Sequence, residues 1–166
     1  MDLKEYQAKE LLRTFSLPSA PFYIARSLEE IDTLIDNHNL SACVIKAQVL
    51  AGGRGKAGGI ALSHSKADTR ALASKILGMQ LITPQTGPLG VIVDEVMLAL
   101  PVDIKKEYYL SIMLERKKGA FTILASQEGG VSIEETAVQF PEKILAIDIE
   151  SKYSLRGFHI DRIIRF

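Results

Sequence analysis

Apolar residues recur at helical spacing in several parts of the chain, and polar capping residues stand ahead of them. Asp2, with Glu5 three residues later, forms a capping-box pattern before the first apolar stretch. Ser27 and Ser65 stand at the start of two further stretches, each with an acidic residue three positions on. Ser132 repeats the pattern nearer the end of the chain. These signals predict a helix after each capping residue.

Short apolar runs between these helices predict strands. The runs lie at residues 22–25, 42–49, 60–63, 91–98, 120–126 and 143–149. A polar turn at 117–119 predicts a hairpin that ends in the 120–126 strand, and residues 154–166 read as a broken helix. Helices and strands therefore mix along the whole chain, which predicts an α+β protein.

A glycine-rich stretch at residues 50–60, LAGGRGKAGGI, separates two predicted strands. It is no P-loop, because Lys56 is followed by Ala57 and no hydroxyl stands ready for magnesium. It also matches GxGxxG, but a strand follows it instead of a helix, and position 78 is Gly where a Rossmann acid would be expected. Glycines let backbone N–H groups approach an anion closely. We interpret the stretch as a mobile flap over nucleotide phosphates, with an ordinary flexible hairpin as the alternative.

Charged residues interrupt two of the apolar strands. Lys46 lies in the middle of the 42–49 run, where it either reaches solvent from a sheet edge or points into a site. Its position just upstream of the glycine flap favours a phosphate contact. Asp94 and Glu95 interrupt the 91–98 run and stand either at an exposed strand end or beside a ligand.

The overall composition limits the classes of partner. Lys plus Arg and Asp plus Glu number 20 each, so no bulk field draws nucleic acid or an anionic membrane. Cys43 is the single cysteine, which excludes an intrachain disulfide and indicates a reducing compartment, with the cytoplasm as the default. The N-terminal residues have no transit-peptide composition, although a mitochondrial matrix location would be expected for an organellar source. No zinc-ligand spacing or nucleophile motif occurs, so no catalytic residue is predicted.

Four sequence blocks carry a family resemblance. LKEYQAKELL, VIKAQVLAGGRGKAGGI, DIKKEYYL and SQEGGVSIEE resemble the beta subunit of succinyl-CoA synthetase, the ADP- or GDP-forming succinate–CoA ligase. Malate–CoA ligase and other acyl-CoA ligase beta subunits are the close alternatives. The resemblance covers residues 1–166 and implies an ATP-grasp fold, in which a nucleotide lies between two α+β lobes. It implies a first lobe at 22–102 with its flap at 50–60, and a second lobe from 1–21 and 103–166.

The same resemblance implies roles for particular residues. Lys46 would contact the nucleotide phosphates, and the segment Gly53, Arg54 and Gly55 would close over them. Glu107 would bind the nucleotide on its ribose side. The hinge would hold the base with a carboxylate and a backbone carbonyl, for which we choose Glu95 and Val102, with Asp94 as the rival acid.

The spacing at the hinge departs from the family pattern. The family acid stands three or four residues before an Asp-Ile pair, whereas Glu95 and Asp94 stand eight and nine residues before Asp103. We therefore expect several inserted residues within 94–102.

The resemblance also implies what the rest of such a protein does. The Asn and Asp ligands of Mg²⁺ and the CoA-ligase domain would follow residue 166, so we expect this chain to be an N-terminal portion that is inactive alone. ATP or GTP would phosphorylate a histidine of an alpha subunit, and the phosphoryl group would pass to succinate before CoA enters. None of the three histidines here, His38, His64 and His159, is expected to be that residue.

Two readings of a different class stay open at this point. GGRGK resembles an RGG-type segment that binds nucleic acid through flexible Arg and Gly contacts. Zero net charge and 7% aromatic residues count against it, and we expect neither nucleic acid nor membrane as a partner. The chain could also be a structural piece too incomplete to bind nucleotide.

Overall fold

The structure is a computed structural model that describes residues 2–131, 133–150, 152 and 154–166. The chain divides into two compact units, Met1–Val102 and Asp103–Phe166. The division falls between Val102 and Asp103, and the extent of each lobe in an intact protein stays a prediction.

The first unit is built around a four-stranded antiparallel sheet. Its helices are α1 (Glu5–Thr14), α2 (Leu28–Asn37) and α3 (Lys66–Ile76), and its strands are β1 (Phe22–Ala25), β2 (Val44–Ala47), β3 (Ile60–Leu62), β4 (Gln80–Leu81), β5 (Val91–Ile92) and β6 (Val96–Ala99). The main sheet has the order β1-β6-β2-β3, and β4 and β5 form a separate pair. Strand β2 therefore lies inside the sheet, between β6 and β3.

Helices α2 and α3 cover one face of this sheet. Ile31 and Ile35 of α2 and Ile76 of α3 are buried in one cluster with Ile45 of β2. The predicted caps hold: the hydroxyl oxygen of Ser27 accepts from Glu30 N–H, and that of Ser65 from Asp68 N–H. Burial of aliphatic side chains on this face anchors the strands that carry the flap.

Helix α1 lies towards the opposite face, because its first residue contacts Lys46, whose neighbours Ile45 and Ala47 point into the core. The predicted Asp2–Glu5 capping box is wrong. The helix begins at Glu5, and the N–H of Lys4 at the cap donates to Gln7 Oε1 at 2.9 Å. Glu5 cannot cap the helix because its carboxylate binds two cations of the sheet and flap.

Residues 1–21 were expected in the second lobe, but the structure groups them with the first unit. The ion pair between Lys4 and Glu95, at 3.1 Å, is one of the contacts that join them to it. The assignment of the segment to one lobe of an intact protein stays a prediction.

The run at 91–98 was predicted as one strand and forms two. Ile92 pairs with Gln80, and the Val93 N–H donates to Met79 O at 3.0 Å, which continues the β4–β5 ladder. From Val96 onward the chain pairs with β1 and β2 instead. The break therefore marks the point where the chain leaves one sheet and enters the other.

The second unit contains a three-stranded antiparallel sheet with the order β7-β8-β9. Its elements are β7 (Tyr109–Glu115), β8 (Ala120–Ser126), α4 (Ile133–Gln139), a 3-10 turn (Pro141–Lys143), β9 (Leu145–Glu150) and α5 (Gly157–Arg165). The β7–β8 hairpin turns at Gly119, whose φ of +59° suits glycine. Ile163 of α5 packs on Ile123 and Ile147 of the sheet.

Two further predictions concern this unit. The broken helix expected at 154–166 is wrong, since α5 runs without interruption from Gly157 to Arg165. Its one glycine stands at the first helical position, where it interrupts nothing. Ser132, the predicted cap of α4, lies outside the described residues.

Within the described part of the chain, no helix is long and apolar enough to cross a membrane.

Candidate functional site

The glycine flap joins β2 to β3, two neighbouring antiparallel strands, as the sequence predicts. It folds back on itself: Ala57 N–H donates to Gly53 O at 3.2 Å, and Gly59 N–H donates to Arg54 O at 2.8 Å. Gly53 has a φ of +74°, which a residue with a side chain rarely adopts. These turns place the side chain of Arg54 beside β2. Whether the flap moves, as expected from its glycines, stays a prediction.

Lys46 lies on a strand with hydrogen-bonded neighbours on both sides, so it does not reach solvent from a sheet edge. Its side chain is 25% exposed, and its ammonium group lies 3.0 Å from Glu5 Oε1. The interpretation of Lys46 as a surface residue is therefore less favoured than its interpretation as a site residue.

Arg54 contacts the same carboxylate from the flap. Its Nη2 lies 2.7 Å from Glu5 Oε2, and its Nη1 donates to the carbonyl oxygen of Ala47 at 2.8 Å. The side chain is 18% exposed. An RGG-type segment binds nucleic acid through mobile Arg side chains, whereas Arg54 is held in place by Glu5 and Ala47, so this geometry disfavours that alternative.

Glu5 is thus bound by a different cation at each carboxylate oxygen, and Lys9 adds a third positive charge 3.6 Å from Oε1. Burial raises the pKa of Glu5, but the hydrogen bonds from Lys46 and Arg54 outweigh it and lower the pKa from its usual 4.5. The carboxylate is therefore ionised at neutral pH. Lys46 and Arg54 together bind the two oxygen atoms of this one carboxylate.

Gln48 holds the start of α1 against β2, and the sequence analysis assigned it no role. Its side chain is fully buried, accepts from Tyr6 N–H at 3.2 Å and donates to Lys46 O at 3.1 Å. The sequence signal for such a role was the position of Gln48, a polar residue in an apolar run, because a buried polar side chain needs hydrogen-bond partners. Glu5 was also missed, because its position three residues after Asp2 favoured a capping role.

An open cavity of about 540 Å³ adjoins these residues in the first unit. Its volume lies within the range of small-molecule sites. Its lining includes Glu5, Arg54, Gly52 and Gln85. Gly52 N–H donates to Gln85 Oε1 at 2.6 Å, which ties the flap to the loop that follows β4.

The predicted hinge acids lie at the start of β6. Lys4 Nζ stands 3.1 Å from Glu95 Oε1 and 3.1 Å from Asp94 Oδ1. Glu95 is 12% exposed, and its Oε2 lies 3.6 Å from Arg26 Nη2, beyond hydrogen-bond distance. Burial lowers the pKa of Lys4, but the contacts with both carboxylates raise it overall. Glu95 is therefore the more enclosed of the two acids, while Asp94 is largely exposed.

Val102 does not lie beside Glu95. Glu95 precedes β6 and Val102 follows it, and the strand between them pairs without a bulge with both β1 and β2. An extended strand rises by about 3.3 Å per residue, so the two residues stand at opposite ends of β6. No bulge accommodates inserted residues within Val96–Ala99. The choice of hinge residues stays a prediction.

Glu107 belongs to the second unit, in the segment before β7. It is exposed, and its backbone carbonyl accepts from Gly129 N–H at 3.2 Å. Gly130 follows with a φ of +70°. The glycine pair Gly129–Gly130 therefore contacts the backbone of a predicted nucleotide-binding residue.

Among the described residues, no group of three or more His, Cys, Asp or Glu side chains is placed to hold a metal ion. The expectation that Asn and Asp ligands lie beyond residue 166 stays a prediction.

A profile of the ATP-grasp domain matches residues 2–165. The chain belongs to the ATP-grasp family. This confirms the ATP-grasp fold that the family resemblance implies. A further likeness, with a TM-score of 0.66 at 21% identity, links the domain to ATP citrate lyase from Methanothrix soehngenii, over 93% of this chain and 36% of that one. At that identity the likeness supports the fold alone.

Relatives of this ATP-grasp domain include beta subunits of ADP-forming succinate–CoA ligase. The subunit from Rickettsia bellii is 41% identical over 163 residues, and that from Chlamydia trachomatis is 42% identical over 166 residues. These matches cover 98% and 100% of this chain. The chain spans 42% and 43% of the two relatives' lengths. The resemblance to this group, predicted from four sequence blocks, is confirmed.

Proposed function

We propose that this ATP-grasp domain binds ATP or GTP, with Lys46 and Arg54 holding the phosphates. The observation that carries the proposal is the convergence of these two cations on the two oxygens of Glu5, at 3.0 and 2.7 Å. A phosphate group also offers several oxygens to a pair of cations. The side chains of β2 and the flap are therefore arranged to neutralise one compact anion.

The flap supplies the backbone part of the same site. Gly53 and Gly55 flank Arg54, and neither has a side chain that would separate a ligand from the backbone. In this proposal the segment closes over the phosphates, while Glu107 binds the ribose side. Glu95, with Asp94 as its rival, and the backbone of Val102 are proposed for the base. Mg²⁺ would accompany the nucleotide, with its Asn and Asp ligands expected beyond residue 166.

The domain's role in a whole protein follows from its relatives. We propose that it belongs to the beta subunit of a succinate–CoA ligase, which acts in the cytoplasm with an alpha subunit on succinate and CoA. The support is 41–42% identity to subunits with that name. A malate–CoA ligase is the alternative. The phosphoryl group would pass through a histidine of the alpha subunit, and this domain would position the nucleotide.

Calorimetric titration of this chain with Mg-ATP and Mg-GTP tests the proposal. Lys46→Met and Arg54→Gln each remove one cation, and we expect either change to weaken binding by about tenfold or more, as for lost contacts to a charged group. Lys56→Met is the matched control, since Lys56 is an exposed cation of the same flap. We expect it to bind nucleotide within about twofold of the wild type.

Equal losses in all three variants would contradict the proposal, because they would indicate general electrostatic attraction instead of a site. Titration with single-stranded RNA at rising salt separates the nucleic-acid alternative. Tight RNA binding that falls steeply with salt, without nucleotide binding, would support that alternative. If wild type and variants alike fail to bind either nucleotide, the chain is a structural piece and the proposal for the isolated chain is wrong.

A further inference from the structure

Glu5 occupies the position between Lys46 and Arg54 that the proposed function gives to a phosphate group. Both carboxylate oxygens are used, and the side chain is 21% exposed. We propose that Glu5 is a further residue of the phosphate site, an internal counter-ion that a bound phosphate must displace. This inference rests on the proposed function and assigns a role in the phosphate site to a residue that the sequence favours as a helix cap.

The residues on either side of Glu5 are anchored, Lys4 by its side chain and Tyr6 by its backbone N–H. Lys4, before it, pairs with Asp94 and Glu95 at 3.1 Å each. Tyr6, after it, donates its N–H to the buried side chain of Gln48. These contacts hold the first turn of α1 over β2 and present the Glu5 side chain to the two cations. The pairing is therefore fixed by the packing of three elements and is more than a chance surface contact.

The Glu5 carboxylate and a phosphate group compete for the same two cations because both are negatively charged. A phosphate placed between Lys46 and Arg54 would lie beside the Glu5 carboxylate, and like charges at such a distance repel. Glutamate has three rotatable side-chain bonds, so its carboxylate can swing away while the anchored backbone stays in place. The two cations then pass from the carboxylate to the phosphate. Lys46 and Arg54 thus stay paired whether or not a ligand is present.

The exchange makes binding depend on ligand charge. A ligand with several negative charges gains more from the two cations than the single charge of Glu5 does. A singly or doubly charged anion gains less and competes poorly. Displacing Glu5 costs the same free energy for every ligand, so we expect Glu5 to lower the affinities for Mg-ATP and for inorganic phosphate by a similar factor.

Glu5→Gln is the direct test, since it keeps the side-chain size and removes the charge. Calorimetry with Mg-ATP and with inorganic phosphate should show tighter binding of both, by about tenfold. The preference for Mg-ATP over phosphate should stay within about twofold of the wild type, because displacing Glu5 costs the same free energy for both ligands. Glu10→Gln is the matched control: it removes one charge from an exposed position of the same helix and should leave both affinities within about twofold.

Glu5→Asp keeps the charge on a shorter side chain. We expect it to fall between wild type and Glu5→Gln, because the shorter carboxylate cannot reach both cations equally. Thermal unfolding of each variant checks that the fold is kept. If Glu5→Gln does not fold, Glu5→Asp tests the same competition, and it should bind Mg-ATP more tightly than the wild type does.

Unchanged or weaker nucleotide binding by Glu5→Gln would overturn the inference, since Glu5 would then merely support the fold or assist the ligand. This outcome differs from failure of the proposed function. If Lys46→Met weakens binding while Glu5→Gln does not tighten it, only the inference is wrong. If Lys46→Met has no effect on measurable binding, or the wild type does not bind, the proposed phosphate site is wrong and the inference is wrong with it.

Discussion

The backbone of Glu107 lies against Gly129 so closely that a Cβ atom on Gly129 would stand 2.6 Å from the Glu107 carbonyl carbon. Its distance to Tyr108 N would be 2.7 Å. Both neighbours are backbone atoms, which cannot move aside as a flexible side chain can. Gly129 therefore sets the path of the chain before β7, on which Glu107 stands.

Gly129→Ala should destabilise the chain by about 1–3 kcal/mol, as expected for an inserted methyl group in a packed position. Urea unfolding followed by circular dichroism measures the change. Gly157→Ala is the control in the same unit, because a Cβ there meets nothing within 4 Å. Equal stability of Gly129→Ala and wild type would show that the loop relaxes freely.

A second glycine shapes the flap. A Cβ on Gly59 would lie 2.9 Å from Leu81 Cδ1 and 3.2 Å from both Ala47 Cβ and Arg54 O. Gly59→Ala should therefore cost about 1–3 kcal/mol of unfolding free energy. The change would also push on the backbone of Arg54, whose carbonyl accepts from Gly59 N–H.

Gly55→Ala is the matched flap variant for this stability measurement. Its nearest neighbour would be Ile60 Cδ1 at 3.9 Å, an ordinary contact. We expect its unfolding free energy to change by no more than about 0.5 kcal/mol. A Gly55→Ala loss as large as that of Gly59→Ala would show that flap flexibility, rather than close packing, determines the effect.

Gln48 offers a test of the anchor between α1 and β2. Gln48→Leu keeps the volume but leaves Tyr6 N–H and Lys46 O without their side-chain partner. The free energy of unfolding should fall by about 1–3 kcal/mol, which is the cost of leaving buried polar groups without hydrogen-bond partners. Hydrogen exchange should also quicken at the Tyr6 amide, while the amides of α3 keep their protection. Unchanged exchange at Tyr6 would show that α1 holds its position without Gln48.

The flap could be predicted from the sequence because its chemistry is local. Glycine freedom, the absence of a hydroxyl after Lys56 and the strand on either side all lie within one short stretch. The β2–β3 pairing agrees with the prediction of a flap between two strands, and the family match to residues 2–165 agrees with the implied fold. The sequence also singled out Lys46 as a candidate site residue, because a cation inside an apolar run needs a partner.

The partner itself could not be predicted. Glu5 and Lys46 are 41 residues apart, and only the folding of α1 over the sheet brings them together. A capping pattern at Asp2 supplied a local explanation for Glu5, and tertiary contacts overrode it. The strand break after Ile92 was missed for the same reason, since it depends on which sheet each half joins.

The paired state of Glu5 also predicts how stability changes with pH. Its pKa is lowered in the folded chain from the usual 4.5, so the folded state releases the proton more readily than the unfolded state. The ion pairs with Lys46 and Arg54 thus contribute fully above the unfolded-state pKa. Their contribution falls as the pH drops through the folded-state pKa. Glu5→Gln should therefore be less stable than wild type at neutral pH, with the difference shrinking in acid.

Urea unfolding of both proteins across this pH range measures the difference. Glu10→Gln should show a difference near zero at every pH, because Glu10 lies exposed on the same helix. A gap between Glu5→Gln and wild type that stays constant into acid would contradict the assignment, since it would come from packing and not from the ionised carboxylate. Together with tighter nucleotide binding by the same variant, a shrinking gap would show one carboxylate stabilising the empty site and opposing its ligand.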